Sequence, residues 1–267
     1  MTVTTLSALL DKMWKDYTAM NPQAQKIHDL FLEKGETIQN DHIALRTFNH
    51  PKVNVNVLAQ PFLKSDYVVK GEYEFPEKKL LARHYEHMDT TLPKIFISEL
   101  KLEEFDQELQ DTIHQLIDQM PNDLPQRFDF CSLGRPWEVS FLVYENLRKK
   151  SEYASWVAAH GYRPNHFTVL VNGLKNFDTL RQVNEFIKIN GFAMNDSGGE
   201  IKGSKDVFLE QSSTKADVVK VPFTDGTYEI PACYYEFALR YPLPNGELYQ
   251  GFVAKSADKI FESTDKG

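Results

Sequence analysis

The chain has 267 residues, 42% of them hydrophobic and 25% charged, with a net charge of −8 and a pI near 5.5. An acidic balance without a basic face argues against nucleic-acid or anionic-membrane partners, and no apolar run reaches the roughly 20 residues of a membrane span. Cys131 and Cys233 lie far apart with no CxxC pairing. They fit a reducing cytoplasm, and the charged N-terminus does not read as a signal peptide.

Residues 4–34 carry a helical pattern. Leu6, Leu9, Leu10, Met13 and Trp14 share one face, and a second helix is framed by Asn21 as cap, Pro22 at its first position and Gly35 as stop. "NDHIALRTF" (40–48) then reads as a strand. Alternation places His42, Ala44, Arg46 and Phe48 on one face, with Ile43, Leu45 and Thr47 opposite. Two ionisable groups on one face of an apolar strand are costly in a core, which points to a cleft wall. "HPKVNVNVLAQPFLKSD" has weak helical periodicity, and "DYVVKGEYEF", "KLLARHYEHMD" and "KIFISEL" follow as strands. Residues 102–121 form a second helical block. Within 122–165, "YENLRKKSEYASWVAAHG" predicts a helix ending at Gly161.

From residue 166 the order restarts. "HFTVLV" is a strand opened by a histidine, "FDTLRQVNEFIKING" is a helix, and "GFAMN", "GGEIKGSKDVFLEQSST" and "CYYEFALRYPL" supply strands. The expected architecture is α+β: two βαβββ units facing each other as a curved sheet around a cleft, with additional outer helices. The expected boundaries within one domain, 1–267, are N-terminal helices at 1–36, a first unit at 40–100, a helical insertion at 101–165 packing on outer faces, and a second unit at 166–253.

The first strand of each unit opens on a histidine, His42 and His166, and the closing strands carry Glu99 and Glu236. Two neutral imidazoles and one carboxylate with open positions form a set suited to non-haem Fe(II). Glu236 is favoured because Tyr235, Phe237, Leu239 and Tyr241 make an apolar opposite face. Glu99 shares its side with Ile95 and Ile97, and Glu229 falls in a turn-rich approach to the last strand. His84 and His87 sit on opposite faces of a strand and read as surface residues or as support for the ligands. His28, His50, His114 and His160 are expected to be solvent-exposed.

"NDHIALRTF", "PKIFISEL", "GYRPNHFTVLVN", "LEQSSTKAD" and "PACYYEFALRYP" together resemble the DUF1338 family. Its members are 2-oxoadipate dioxygenase/decarboxylases distantly related to the vicinal-oxygen-chelate enzymes. The resemblance implies Fe(II) on His42, His166 and Glu236, with Arg46 binding the substrate. It also implies oxidative decarboxylation of a 2-oxo dicarboxylate by dioxygen, 2-oxoadipate giving 2-hydroxyglutarate and CO2. The best described members are longer, which leaves open which 2-oxo acid is used. At a strand rise of about 3.3 Å per residue, Arg46 lies roughly 13 Å beyond His42, within reach of a carboxylate on a metal-bound diacid. An ion pair with a neighbouring acid is the competing role for Arg46. Gln211, Ser212 and Ser213 are candidate substrate donors, and Arg240 is a candidate second carboxylate clamp. A metal-dependent hydrolase, a glyoxalase-like isomerase or lyase, and a non-catalytic acid-binding module are the competing functions.

Overall fold

A computed structural model describes residues 4–253. The ends of the expected 1–267 domain, 1–3 and 254–267, lie outside the described residues. Helix α1 (Leu6–Met20) starts at Thr5, whose hydroxyl accepts from the Ala8 amide at 3.3 Å. It buries Leu9, Met13, Tyr17 and Met20, a stripe spaced by three and four residues. Helix α2 (Pro22–Glu33) opens with Pro22 at its first position, where a missing amide proton costs nothing.

The first unit follows as β1 (Asn40–Phe48), α3 (Val55–Leu63), β2 (Val68–Phe75), β3 (Leu80–Glu86) and β4 (Lys94–Leu100). The second comprises β5 (Pro164–Leu170), α7 (Leu180–Ile189), β6 (Lys202–Ser204), β7 (Leu209–Ser213) and β10 (Tyr234–Arg240). Between the units lie α4 (Gln107–Asp118), α5 (Phe141–Lys150) and α6 (Glu152–His160). The expected single helix through 144–161 is broken at Ser151, whose hydroxyl instead caps α6 by accepting from the Ala154 amide at 3.1 Å.

One curled eight-stranded sheet has the order β2-β3-β4-β1-β5-β10-β7-β6. Each half repeats the other in mirror order: the first strand pairs parallel with the last, β1 with β4 and β5 with β10. The two opening strands meet antiparallel at the centre, which brings both strand-opening histidines to one place. On the back of the sheet Tyr17 and Trp14 pack on Phe167 with ring centroids 5.0 and 5.1 Å apart. Phe31 meets Phe237 at 6.1 Å. The apolar face of the closing strand is thus the seat of α1 and α2.

Two elements differ from expectation. "GFAMN" forms only an isolated bridge, Met194 to Thr214. A hairpin, β8 (Val218–Phe223) and β9 (Gly226–Pro231), is inserted before β10 as a separate two-stranded sheet. Thr224 and Asp225 make its two-residue turn, the commonest hairpin connection, and Gly226 at φ +147° opens β9 opposite Phe223. Glu229 therefore lies in a strand and not in a turn-rich approach. The hairpin docks on α5, where Tyr228 stacks on Phe141 at 3.8 Å.

Candidate active site

The bonds joining β1, β5 and β10 set the site. His42 Nε2 lies 3.5 Å from Glu236 Oε1, His166 Nε2 lies 3.5 Å from Glu236 Oε2, and the two Nε2 atoms are 3.3 Å apart. All three side chains are buried. Their ligand atoms fall within 4.8 Å of one another, a two-histidine, one-carboxylate donor set that can hold a divalent ion.

Electrostatics suit that use. Burial pushes the Glu236 carboxyl up to about 8, against the Gln211 hydrogen bond that favours the carboxylate. Burial lowers the His42 pKa, with Asp41 opposing. Burial, the neighbouring His42 and the Arg46 charge hold His166 well below the usual imidazole range. Neutral imidazoles keep the lone pairs that a metal needs. The outer nitrogens are engaged: His42 Nδ1 is 2.8 Å from Asp41 Oδ1 and His166 Nδ1 is 3.0 Å from Asn165 Oδ1. Since carboxylate and amide oxygens accept, both Nδ1 atoms carry the proton and both Nε2 atoms face inward.

The cleft is lined by these three residues with Ala44, Arg46, Phe96, Gln211, Tyr234 and Phe252 among others. Arg46 is 1% exposed. Its guanidinium carbon sits 5.0 Å from the Tyr153 ring and 5.2 Å from the Trp156 ring, and Nη1 is 3.5 Å from Glu152 Oε1. Arg46 thus lines the cleft and also has the acidic neighbour weighed as its alternative role. Helix α6 supplies all three contacts, so part of the helical insertion shapes the cleft and does not only cover outer faces.

Gln211 donates to Glu236 Oε1 at 2.7 Å. Ser212 turns to α7, donating to Asn184 Oδ1 at 2.7 Å. Ser213 is buried beside Glu236 in the ladder but does not line the cleft. Arg240 does not line it either. Its Nε and Nη2 bond Asp41 at 2.5 and 2.8 Å, so the clamp it forms holds Asp41 in place of a substrate acid. Glu99 is spent elsewhere: its Oε2 accepts from the Val55 amide at the start of α3 at 2.7 Å. His84 is buried, with Nδ1 2.9 Å from the Tyr73 hydroxyl and Nε2 2.9 Å from Glu86; it is not a surface residue. His160 is buried too, donating through Nε2 to Pro231 O at 2.9 Å. His28, His50 and His114 are half-buried. His28 lies 5.2 Å from the Trp14 ring, and the His50 and His114 rings are 5.4 Å apart.

Sequence reasoning missed Asp41, Asn165, Glu152, Tyr234 and Phe252. Tyr234 had a signal, standing two residues before Glu236 and hence on its face. Its ring lies nearly parallel to His166 at 4.7 Å, and its hydroxyl is buried with no hydrogen-bond partner among the described residues. Phe252 sets its ring edge-on to His42 at 4.8 Å.

The sequence model of the 2-oxoadipate dioxygenase/decarboxylase family matches residues 2–129 and 130–248. The chain belongs to this family. A chloroplastic 2-oxoadipate dioxygenase/decarboxylase of Arabidopsis thaliana is 34% identical over 96% of this chain and 76% of its own length. Among solved structures, a hydroxyglutarate synthase from Oryza sativa in complex with 2-oxoadipate superposes with a TM-score of 0.87 at 35% identity, covering 96% of this chain and 90% of its own. A chain from Shewanella frigidimarina, solved under a provisional hydrolase label, reaches 0.91 at 54% identity over 95% of this chain and 100% of its own. The fold alone is shared with a glyoxalase-superfamily protein from Ralstonia eutropha, with a TM-score of 0.77 and 20% identity over 92% of this chain and 84% of its own. Among the described residues no helix is long and apolar enough to cross a membrane.

Proposed function

We propose that this chain is an Fe(II)-dependent dioxygenase that decarboxylates a 2-oxo dicarboxylic acid, converting 2-oxoadipate and dioxygen to 2-hydroxyglutarate and CO2. The observation that carries the reading is the convergence of His42, His166 and Glu236 in a cleft that also presents the Arg46 guanidinium. A metal site and a carboxylate receptor in one cleft match a diacid that is chelated at one end and charged at the other.

His42, His166 and Glu236 would hold the ion, and their buried, mutually close donor atoms fit it. Bound there, Fe(II) supplies Lewis acidity and the redox capacity for dioxygen chemistry. The planar Arg46 guanidinium binds the distal carboxylate and sets the distance at which a second charge is accepted. Gln211 fixes the orientation of Glu236 through its amide. Ala44, Leu45, Phe96 and Phe252 line the cleft with apolar surface, which excludes water and strengthens the charge pairing. The buried Tyr234 hydroxyl is a donor for a substrate oxygen. Both atoms of dioxygen end in the products, so no second organic substrate is required. Both cysteines are free and buried, which supports a reducing compartment such as the cytoplasm.

The test is product analysis with Fe(II)-loaded protein and 2-oxo diacids of increasing length. The expected result is 2-hydroxyglutarate from 2-oxoadipate, with slower turnover of shorter and longer acids. A hydrolase or a glyoxalase-like isomerase would release no CO2 from any of them.

A further inference from the structure

The two metal-site histidines are held unequally. His166 leans on a neutral amide, Asn165, while His42 leans on a carboxylate that is itself gripped from the far side. Side chains of successive strand residues normally point to opposite faces. Asp41 reaches the ring of its own neighbour because the β1–β5 register slips between Asn40 and His42, a bulge that re-aims side chains next to a site. Asp41 is buried, with one oxygen shared between His42 and Arg240 Nη2 and the other taken by Arg240 Nε.

Arg240 has a second side. Its Nη1 donates to the carbonyls of Tyr249 and Gly251, each at 2.9 Å, and its guanidinium carbon lies 5.3 Å from the Phe252 ring. The Phe252 amide donates to the Tyr73 hydroxyl at 3.2 Å. These bonds set the Phe252 ring on His42, against Phe96 at 4.9 Å. One guanidinium therefore connects the acid behind the ligand with the segment that walls the cleft in front of it.

We infer that Asp41 and Arg240 are positioning residues of the metal centre: Asp41 fixes the His42 ring with Nε2 turned to the ion, and Arg240 ties that orientation to the 249–252 wall. This rests on the reading of His42, His166 and Glu236 as metal ligands. Bidentate guanidinium–carboxylate geometry resists rotation of either partner, and a ligand histidine oriented through its outer nitrogen is pre-set for the ion.

The experiment measures Co(II) affinity by chelator competition and records the d–d absorption of the Co(II)-loaded protein, with no turnover required. Asp41→Glu keeps the charge but moves the carboxylate by one methylene. The double variant Asp41→Asn/Arg240→Gln removes both charges, so that neither is left buried alone. Circular dichroism establishes that each is folded. The expected result is about 10- to 100-fold weaker binding with an altered d–d band in whichever variants fold. A folded variant with the wild-type affinity and spectrum would overturn the inference. Wild-type protein that binds no Co(II) would overturn it together with the metal reading, whereas metal binding without diacid turnover would count against the proposed reaction alone.

Discussion

Arg46 Nη1 stands 3.5 Å from Glu152 Oε1, at a cleft that Arg46 shares with His42 on its own strand and with His166 and Glu236 on the next two strands of the sheet. Arg46 is almost fully buried, whereas the Glu152 side chain is 28% exposed. The partner is thus one that a carboxylate entering the cleft competes with on nearly equal terms. A partly exposed pair of this kind is worth about 0.2–1 kcal/mol. Glu152→Gln is therefore expected to tighten diacid binding about two- to fivefold. Arg46→Ala removes charge-assisted bonds worth about 1.5–3 kcal/mol and is expected to weaken it by tenfold or more while leaving metal affinity intact. Calorimetric titration of the anaerobic, metal-loaded protein measures both, and weaker binding in Glu152→Gln would make Glu152 a support of Arg46 and not its competitor.

The Tyr234 hydroxyl is buried without a hydrogen-bond partner among the described residues. Its ring packs on His166. Tyr234→Phe keeps the ring and deletes only the donor. Metal affinity and thermal stability are expected to hold, or stability to rise slightly, since a buried hydroxyl lacking a partner is costly. KM for the 2-oxo acid is expected to rise about tenfold. Unchanged KM and kcat would remove Tyr234 from the site.

Glu99 and Glu236 occupy equivalent closing strands but do different work. Glu236→Ala is expected to abolish metal binding, as is His42→Ala. Glu99→Ala removes the acceptor at the start of α3 and is expected to cost about 1–2 kcal/mol of stability, with metal stoichiometry preserved. Metal content after dialysis and a denaturant titration separate the two outcomes.

Burial lowers the His160 pKa to about 3, against the bond to Pro231 O that favours the charged ring. The unfolded value is near 6.5, so below that pH the unfolded chain takes up a proton that the folded protein refuses. The stability from this residue is full above about pH 6.5 and falls as the pH drops toward 3, by up to about 1.4 kcal/mol per pH unit. His160→Gln keeps a donor for Pro231 and removes the titration. Its melting temperature is expected to fall less steeply than that of the wild type between pH 6.5 and 4. Parallel curves would contradict the assignment.

His42 and Arg46 were legible because a strand alternates, and a costly pair on one face demands a purpose. His166 and Glu236 followed from the restart of the element order. The bulge at Asn40 and His42 was not legible. It depends on how β1 meets β5, so Asp41 drew no role and Arg240 was left to look like a substrate clamp. His160 looked exposed because it ends a helix, but Pro231 from the distant β9 strand docks on it and accepts from its Nε2. The β8–β9 hairpin was not legible either: it pairs within itself and packs on α5, outside the repeat that organised the rest. Glu152 and Trp156 reach Arg46 through a helix set in the chain between the two units. Such contacts join distant segments, and no local pattern encodes them.

Oxygen consumption and CO2 release, measured together with 2-oxoadipate before and after metal loading, decide whether the His42, His166 and Glu236 cleft carries out dioxygenase chemistry. One CO2 released per O2 consumed is expected of the Fe(II)-loaded protein, with neither gas exchanged by the metal-free protein or by Glu236→Ala. Iron bound at His42, His166 and Glu236 with no oxygen uptake on any 2-oxo diacid would contradict it.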